Sequence, residues 1–161
     1  MNSDLLRERL TGKFGDAIQS ITEYRAEVTV VAAKEQIVQI CTFLRDEKEF
    51  LFDTIRDVSG TDYFRPADRY EVVYNIYSLP HKSRLRLKVR VDESDMHVPT
   101  VTGVWTGANW AERETYDMFG IQFDGHPDLR RIYLPEEFEY YPLRKDFPLM
   151  GIPGSLPLPR K

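Results

Sequence analysis

The chain has 161 residues, of which 42% are hydrophobic and 30% charged, a composition that fits one globular domain with appendages and excludes a disordered chain. Its net charge of −4 argues against a nucleic-acid binder, whose affinity comes mainly from Lys and Arg on phosphates. Cys41 is the single cysteine, so no disulfide, Cys-rich zinc site or all-cysteine iron–sulfur ligation can be built within this chain.

Ser3 can cap a first helix over Asp4 to Leu10, whose Leu5, Leu6 and Leu10 share a face before Gly12 and Gly15 break the pattern. Residues 1–15 are charged rather than signal-like, and no apolar run approaches the roughly 18 residues that cross a bilayer, so neither secretion nor a membrane span is expected. Ala26, Val28 and Val30 alternate with Glu27 and Thr29 as in a half-buried strand. A helix is predicted over about Lys34 to Lys48, where Ile37, Ile40, Cys41 and Leu44 recur at helical spacing and make Cys41 a core thiol.

Phe50 to Val58 reads as a further strand, interrupted at Arg56. Two clearer strands follow, one with Tyr70, Val72, Tyr74 and Ile76 on one face, the next with Leu85, Leu87, Val89 and Val91. The link Leu79 to Ser83 joins them as a hairpin. The second strand turns Arg84, Arg86, Lys88 and Arg90 the other way, which reads either as a solvated face or as a surface for an acidic partner. These elements predict an α+β fold, a two-layer sandwich of a mostly antiparallel or mixed sheet with helices, over residues 1–120.

The last predicted helix covers about residues 110–119. Asn109 to Glu112 has the form of a capping box, with Glu112 reaching back to the Asn109 backbone, and Gly120 is the expected left-handed C-cap. On that helix Arg113 and Asp117 stand four apart and can pair, while Glu112 and Glu114 suit a first turn. Paired carboxylates also raise an enzyme reading, a stand-alone hydrolase or lyase using Glu112, Asp117 or His126. His126 otherwise reads as a turn residue, and His81 and His97 lie in apparent loops without a ligand pattern. No GxGxxG or P-loop occurs.

Beyond Gly120 come 41 residues with seven of the ten prolines and no sustained period. Structureless stretches longer than roughly 12 to 15 residues are disordered, linkers or functional. Disordered linkers are poor in aromatics, whereas this tail holds Phe123, Tyr133, Phe138, Tyr140, Tyr141 and Phe147. It is expected to lie extended over residues 121–161 and to wrap either a partner or its own domain. Arg130, Arg131, Arg144, Lys145 and Asp146 sit between the apolar anchors as candidate interface charges.

Three blocks give the chain a family resemblance: WxERExYDMFGI over residues 110–121, GHPDLRRI over 125–132 and PLRKDFP over 142–148. With them it resembles the 30-kilodalton-type subunit of proton-pumping NADH:quinone oxidoreductase, respiratory complex I. The N-terminal two-thirds is similar in length and element order. Where many members carry glycine and histidine before the last block, this chain has Tyr140 and Tyr141.

The resemblance implies a subunit without flavin, iron–sulfur cluster or quinone of its own, with FMN, clusters and quinone on partner subunits. It implies packing in the peripheral arm against the 49-kilodalton-type subunit, which forms much of the quinone pocket, through Arg130, Arg131, Arg144, Lys145, Asp146 and Phe147. It further implies a peripheral position on the cytoplasmic side of a bacterial inner membrane, with indirect membrane contact. Related subunits occur in membrane-bound hydrogenases and in ferredoxin:plastoquinone oxidoreductases, and an equivalent role in such a complex is the alternative.

Overall fold

The computed structural model describes residues 3–152. Helix α1 runs Ser3–Phe14, starting at Ser3 itself and continuing through Gly12, past the Leu10 expected from the sequence. Burial of Leu6 and Leu10 outweighs the roughly 1 kcal/mol that a glycine costs inside a helix. Gly15, at φ +52°, ends the run.

Strand β1, Ile18–Tyr24, has no counterpart among the predicted elements. Only Ile21 on it is buried, so alternation is weak, and its pairing with β2, Glu27–Ala32, is what makes it a strand. The connecting residues Arg25 and Ala26 both have positive φ and lack the Asn-Gly pattern that signals such a turn. Helix α2, Ile37–Asp46, follows a 3-10 turn at Lys34–Gln36 and buries Ile37, Ile40, Cys41, Phe43 and Leu44.

Strand β3 is Thr54–Asp62, four residues later than the apolar alternation suggests. Phe50 and Phe52 enter the core from the loop before it, where the Phe52 N–H donates to the Leu44 carbonyl at the end of α2. Strands β4, Tyr70–Ser78, and β5, Ser83–Val91, form the expected hairpin, closing at Ser78 opposite Ser83.

The sheet order is β1-β2-β5-β4-β3, antiparallel except for the parallel β2/β5 pair at its centre. A mixed sheet with helices was expected, and the α+β class holds. Leu6 and Leu10 of α1 and Ile40 and Leu44 of α2 join Val30, Tyr74, Leu87 and Val89 of the sheet in one core. On the opposite face the cations of β5 meet acids across strands, Arg86 with Glu27 at 3.2 Å and Lys88 with Glu71 at 2.9 Å.

Strand β6, His97–Pro99, leads through a turn to helix α3, Ala108–Phe119, which packs on β3. Gly60 makes that contact possible, because a Cβ there would lie 2.5 Å from the Phe119 ring. Trp105 anchors the turn by donating its indole N–H to the Phe52 carbonyl at 3.0 Å. Strand β7, Gln122–Asp124, pairs in parallel with β6. Ile121 and Phe123, at the start of the predicted tail, belong to the core. No helix among the described residues is long and apolar enough to cross a membrane.

Candidate docking surface

Helix α3 positions the surface, and its own sequence explains how. Gly107 precedes Ala108 without a side-chain cap, so the capping box at Asn109 does not form. The helix starts ahead of the predicted residue 110, and Glu112 falls in the second turn, directed at the loop after β6. Its Oε1 accepts the Val101 N–H at 2.8 Å and its Oε2 the Thr100 hydroxyl at 2.5 Å. Burial pushes this carboxyl up to about 7, only partly offset by those two hydrogen bonds.

His126 stands 3.9 Å from Glu112, its Nδ1 accepting the Asp128 N–H and its Nε2–H donating to the Asn109 carbonyl. That pattern sets the neutral tautomer, and burial holds the imidazole below its ordinary range. Two of the three groups that the enzyme reading singled out, Glu112 and His126, are brought together, but both side chains are sealed from solvent. Asp117 is engaged elsewhere.

The local Arg113–Asp117 pair is also corrected. The Arg113 guanidinium donates to the carbonyls of Arg130 and Arg131 at 2.9 and 3.3 Å, while lying 4.8 Å from the Trp110 ring. Asp117 turns to the tail instead, taking Arg131 at 2.7 Å on one oxygen and the N–H groups of Ile132, Tyr133 and Leu134 on the other. Burial raises the carboxyl, but these four donors outweigh it and hold it below the usual carboxylate range. A carboxylate four residues from an arginine gains a few tenths of a kcal/mol from that neighbour; one that organises a whole segment gains more.

At the end of α3, Gly120 adopts φ +79° as expected of its C-cap. It has a second duty, because a Cβ there would stand 2.6 Å from the Arg144 guanidinium and 2.7 Å from the Tyr141 ring. Arg144 donates to the Phe119 carbonyl at 2.7 Å, where the helix dipole favours a cation, and stacks 4.4 Å from Tyr141. The Leu143 N–H reaches the Met118 carbonyl.

A third fastening centres on Asp62, Arg69 and Glu93, which the sequence does not single out, and draws in Lys145 and Asp146. Asp62 accepts Arg69 through two hydrogen bonds of 3.0 and 2.8 Å and also takes the N–H groups of Phe64 and Lys145. Arg69 goes on to Glu93 at 2.7 Å and to Asp146 at 3.1 Å. Burial opposes ionisation of Asp62, yet Arg69 and the two N–H donors bring it down to about 2. Opposite charges flanking the β3–β4 loop are the only sequence signal, and the register that sets Asp62 beside Tyr70 is what brings them together.

Of the predicted interface residues, Arg131, Arg144 and Asp146 are thus engaged within the chain, and Lys145 contributes its backbone N–H. Phe147 packs 6.4 Å from Phe138. Arg130 is exposed and pairs with Asp128 at 2.7 Å. Over residues 128–147 the tail lies on its own domain. Among its exposed side chains are apolar ones, Tyr133 at 65%, Leu143 at 54%, Leu149 at 101% and Met150 at 94%, interspersed with the exposed charges of Glu136, Glu137, Glu139 and Lys145. Residues 153–161, the end of the predicted strap, lie outside the described residues.

Residues 30–153 match the family described as "Respiratory-chain NADH dehydrogenase, 30 Kd subunit". The chain is 49% identical over 143 residues to the C-subunit of NADH-quinone oxidoreductase from Geotalea uraniireducens, covering 89% of this chain and 86% of the relative. It is 48% identical over 147 residues to a C-subunit of NADH-quinone oxidoreductase from Rhizobium meliloti, covering 91% and 80%. Among solved structures, the trypsin-resistant fragment (1-134) of Nqo5 superposes with a TM-score of 0.64 at 36% identity, over 77% of this chain and 98% of the fragment. A chain of the membrane-bound sulfane sulfur reductase, an archaeal respiratory membrane complex, shares the fold at TM-score 0.77 and 18% identity, over 93% and 88%.

Proposed function

The chain belongs to the family of 30-kilodalton subunits of respiratory-chain NADH dehydrogenase, and on that premise we propose that it is a redox-inert structural subunit of the peripheral arm. It docks on the 49-kilodalton-type, quinone-site subunit and supports electron transfer from NADH to quinone coupled to proton translocation. FMN, iron–sulfur clusters and quinone reside on the partner subunits. The complex sits on the cytoplasmic side of a bacterial inner membrane, and this chain touches the membrane only through its partners. The identities of 44% to 49% to relatives named as subunits of NADH-quinone oxidoreductase favour the NADH-linked complex over a hydrogenase or ferredoxin-linked one.

The observation that carries the docking role is the tail held rigid from beneath. Asp117, Arg113 and Asp62 fasten its polar groups to α3 and β3 as far as Lys145, which leaves that stretch little to order on binding, while Tyr133 and Leu143 within it and Leu149 and Met150 beyond it stay exposed. Exposed aromatic and aliphatic anchors rimmed by charge are the anatomy of a protein interface. The sealed Glu112 and His126 fit a structural role rather than catalysis.

Ser substitutions at Tyr133, Leu143 and Leu149 test the docking role without touching the fastenings. Co-purification with a 49-kilodalton-type partner should fall, while the thermal stability of the isolated chain stays unchanged. Undiminished assembly would overturn docking through this surface.

A further inference from the structure

The outer face of the sheet carries charges that the tail network does not use. Toward the Asp62 end of β3 they are paired across strands, Lys88 with Glu71 at 2.9 Å and Arg90 with Asp68 at 3.9 Å. Toward the other end the pairing gives out. Arg86 meets Glu27 at 3.2 Å in an exposed contact, and Arg56, Lys82 and Arg84 have no acidic partner among the described residues.

These cations are arranged around one aromatic ring. Arg56 occupies the bulge of β3 between Ile55 and Asp57, with its guanidinium 5.9 Å from Tyr77. Tyr77 is the register partner of Arg84 on the next strand. A cleft of about 360 Å³ opens here, lined by Arg56, Arg84 and Arg86. A second cleft of about 500 Å³ shares Arg84 and adds Arg25 and Lys82. In a chain of net charge −4, this corner is locally basic, its cations outnumbering Glu23, Glu27 and Asp57.

We infer that this corner is a second docking site, which receives an extended acidic polypeptide segment of a neighbouring subunit with its carboxylates on Arg56 and Arg84. β3 and β5 are two strands apart, roughly 10 Å, which about three extended residues span. Guanidinium forks suit carboxylates, and the Tyr77 ring suits a polypeptide's remaining atoms. Glu27 and Asp57 among the lining residues repel a continuous phosphate backbone or an anionic membrane, whereas an extended peptide turns alternate side chains away from them. The site lies roughly 20 Å along β3 from Asp62, so it is separate from the tail surface.

The probe is an N-acetylated octapeptide of alternating glutamate and serine, titrated onto the full chain by fluorescence anisotropy. Binding should weaken with salt and drop at least about tenfold in the Arg56→Ala, Arg84→Ala double variant at unchanged melting temperature. A single-stranded octanucleotide and phosphatidylglycerol vesicles should bind more weakly than the peptide. In the assembled complex, a benzoylphenylalanine in place of Tyr77 should crosslink to an Asp- or Glu-rich segment of another polypeptide. Equal peptide binding by the double variant, preference for the nucleotide or the vesicles, or no crosslink from position 77 would overturn the inference.

Discussion

The carboxylate of Asp117 on α3 and the guanidinium of Arg131 in the tail lie 2.7 Å apart with both side chains almost wholly buried. The second Asp117 oxygen gathers three successive backbone N–H groups, so this one residue holds the tail's path over residues 131–134.

Asp117→Asn should therefore cost about 3 kcal/mol in denaturant unfolding, because Arg131 is left as a buried unpaired charge. Hydrogen exchange at the amides of residues 132–134 should accelerate in the same variant. Arg131→Lys should cost less, since a charge remains near Asp117 while the hydrogen bond to the Tyr140 carbonyl is lost. Native-like exchange at those amides in Asp117→Asn would show that the tail is held by its apolar contacts instead.

Glu112 makes folding sensitive to pH near neutrality. Its folded carboxyl is raised to about 7, so its contribution is fully present below the unfolded value near 4.5 and is lost as pH rises through 7. The chain should lose up to about 3 kcal/mol of stability between pH 5 and 8 from this group. Glu112→Gln should flatten that window and be the more stable protein at pH 8. A wild-type profile already flat there would refute the buried-acid origin.

Asp62 acts in the opposite sense. With its folded carboxyl lowered to about 2, the stabilisation is present above pH 4 and is lost as pH falls toward 2, roughly 2 kcal/mol in all. Acid titration of the Asp62→Asn variant should lack that step. The same variant should also free the Lys145 amide, readable as faster exchange.

Gly120→Ala should destabilise by about 2 kcal/mol, combining strain at φ +79° with displacement of Arg144 and Tyr141. Limited proteolysis should then cut around residues 141–145 at protease levels that leave the wild type intact. Resistance equal to wild type would mean that Arg144 and Tyr141 yield without releasing the tail.

Cys41 should resist thiol reagents in the native chain, since it is fully buried and its thiol is pushed well up by burial. Labelling should track the unfolded fraction in denaturant. Rapid labelling of the folded chain would indicate local opening of α2.

Much of the architecture was legible from side-chain periodicity. Strand β5 alternates strictly, β4 sets Tyr70, Val72, Tyr74 and Ile76 two apart, α2 repeats Ile37, Ile40, Cys41 and Leu44 on one face, and Gly120 marks the end of α3. Each of these signals is local to its element. Strand β1 was not legible, since an exposed edge strand needs no apolar alternation and owes its form to β2. The three C-terminal blocks identified the family without revealing what any residue in them touches.

Most elements and the family could thus be read from the chain alone, because propensity, capping and apolar period act over a few residues. The partners of the charges could not, and they emerge only once the chain is folded. Arg113 and Asp117 stand one helical turn apart, yet each makes its bonds to the tail, and Glu112 turns from the predicted cap to Thr100 and Val101. The reason is desolvation: a buried carboxylate or guanidinium must satisfy every polar atom, and the donors and acceptors that do so arrive from strands and loops far along the chain.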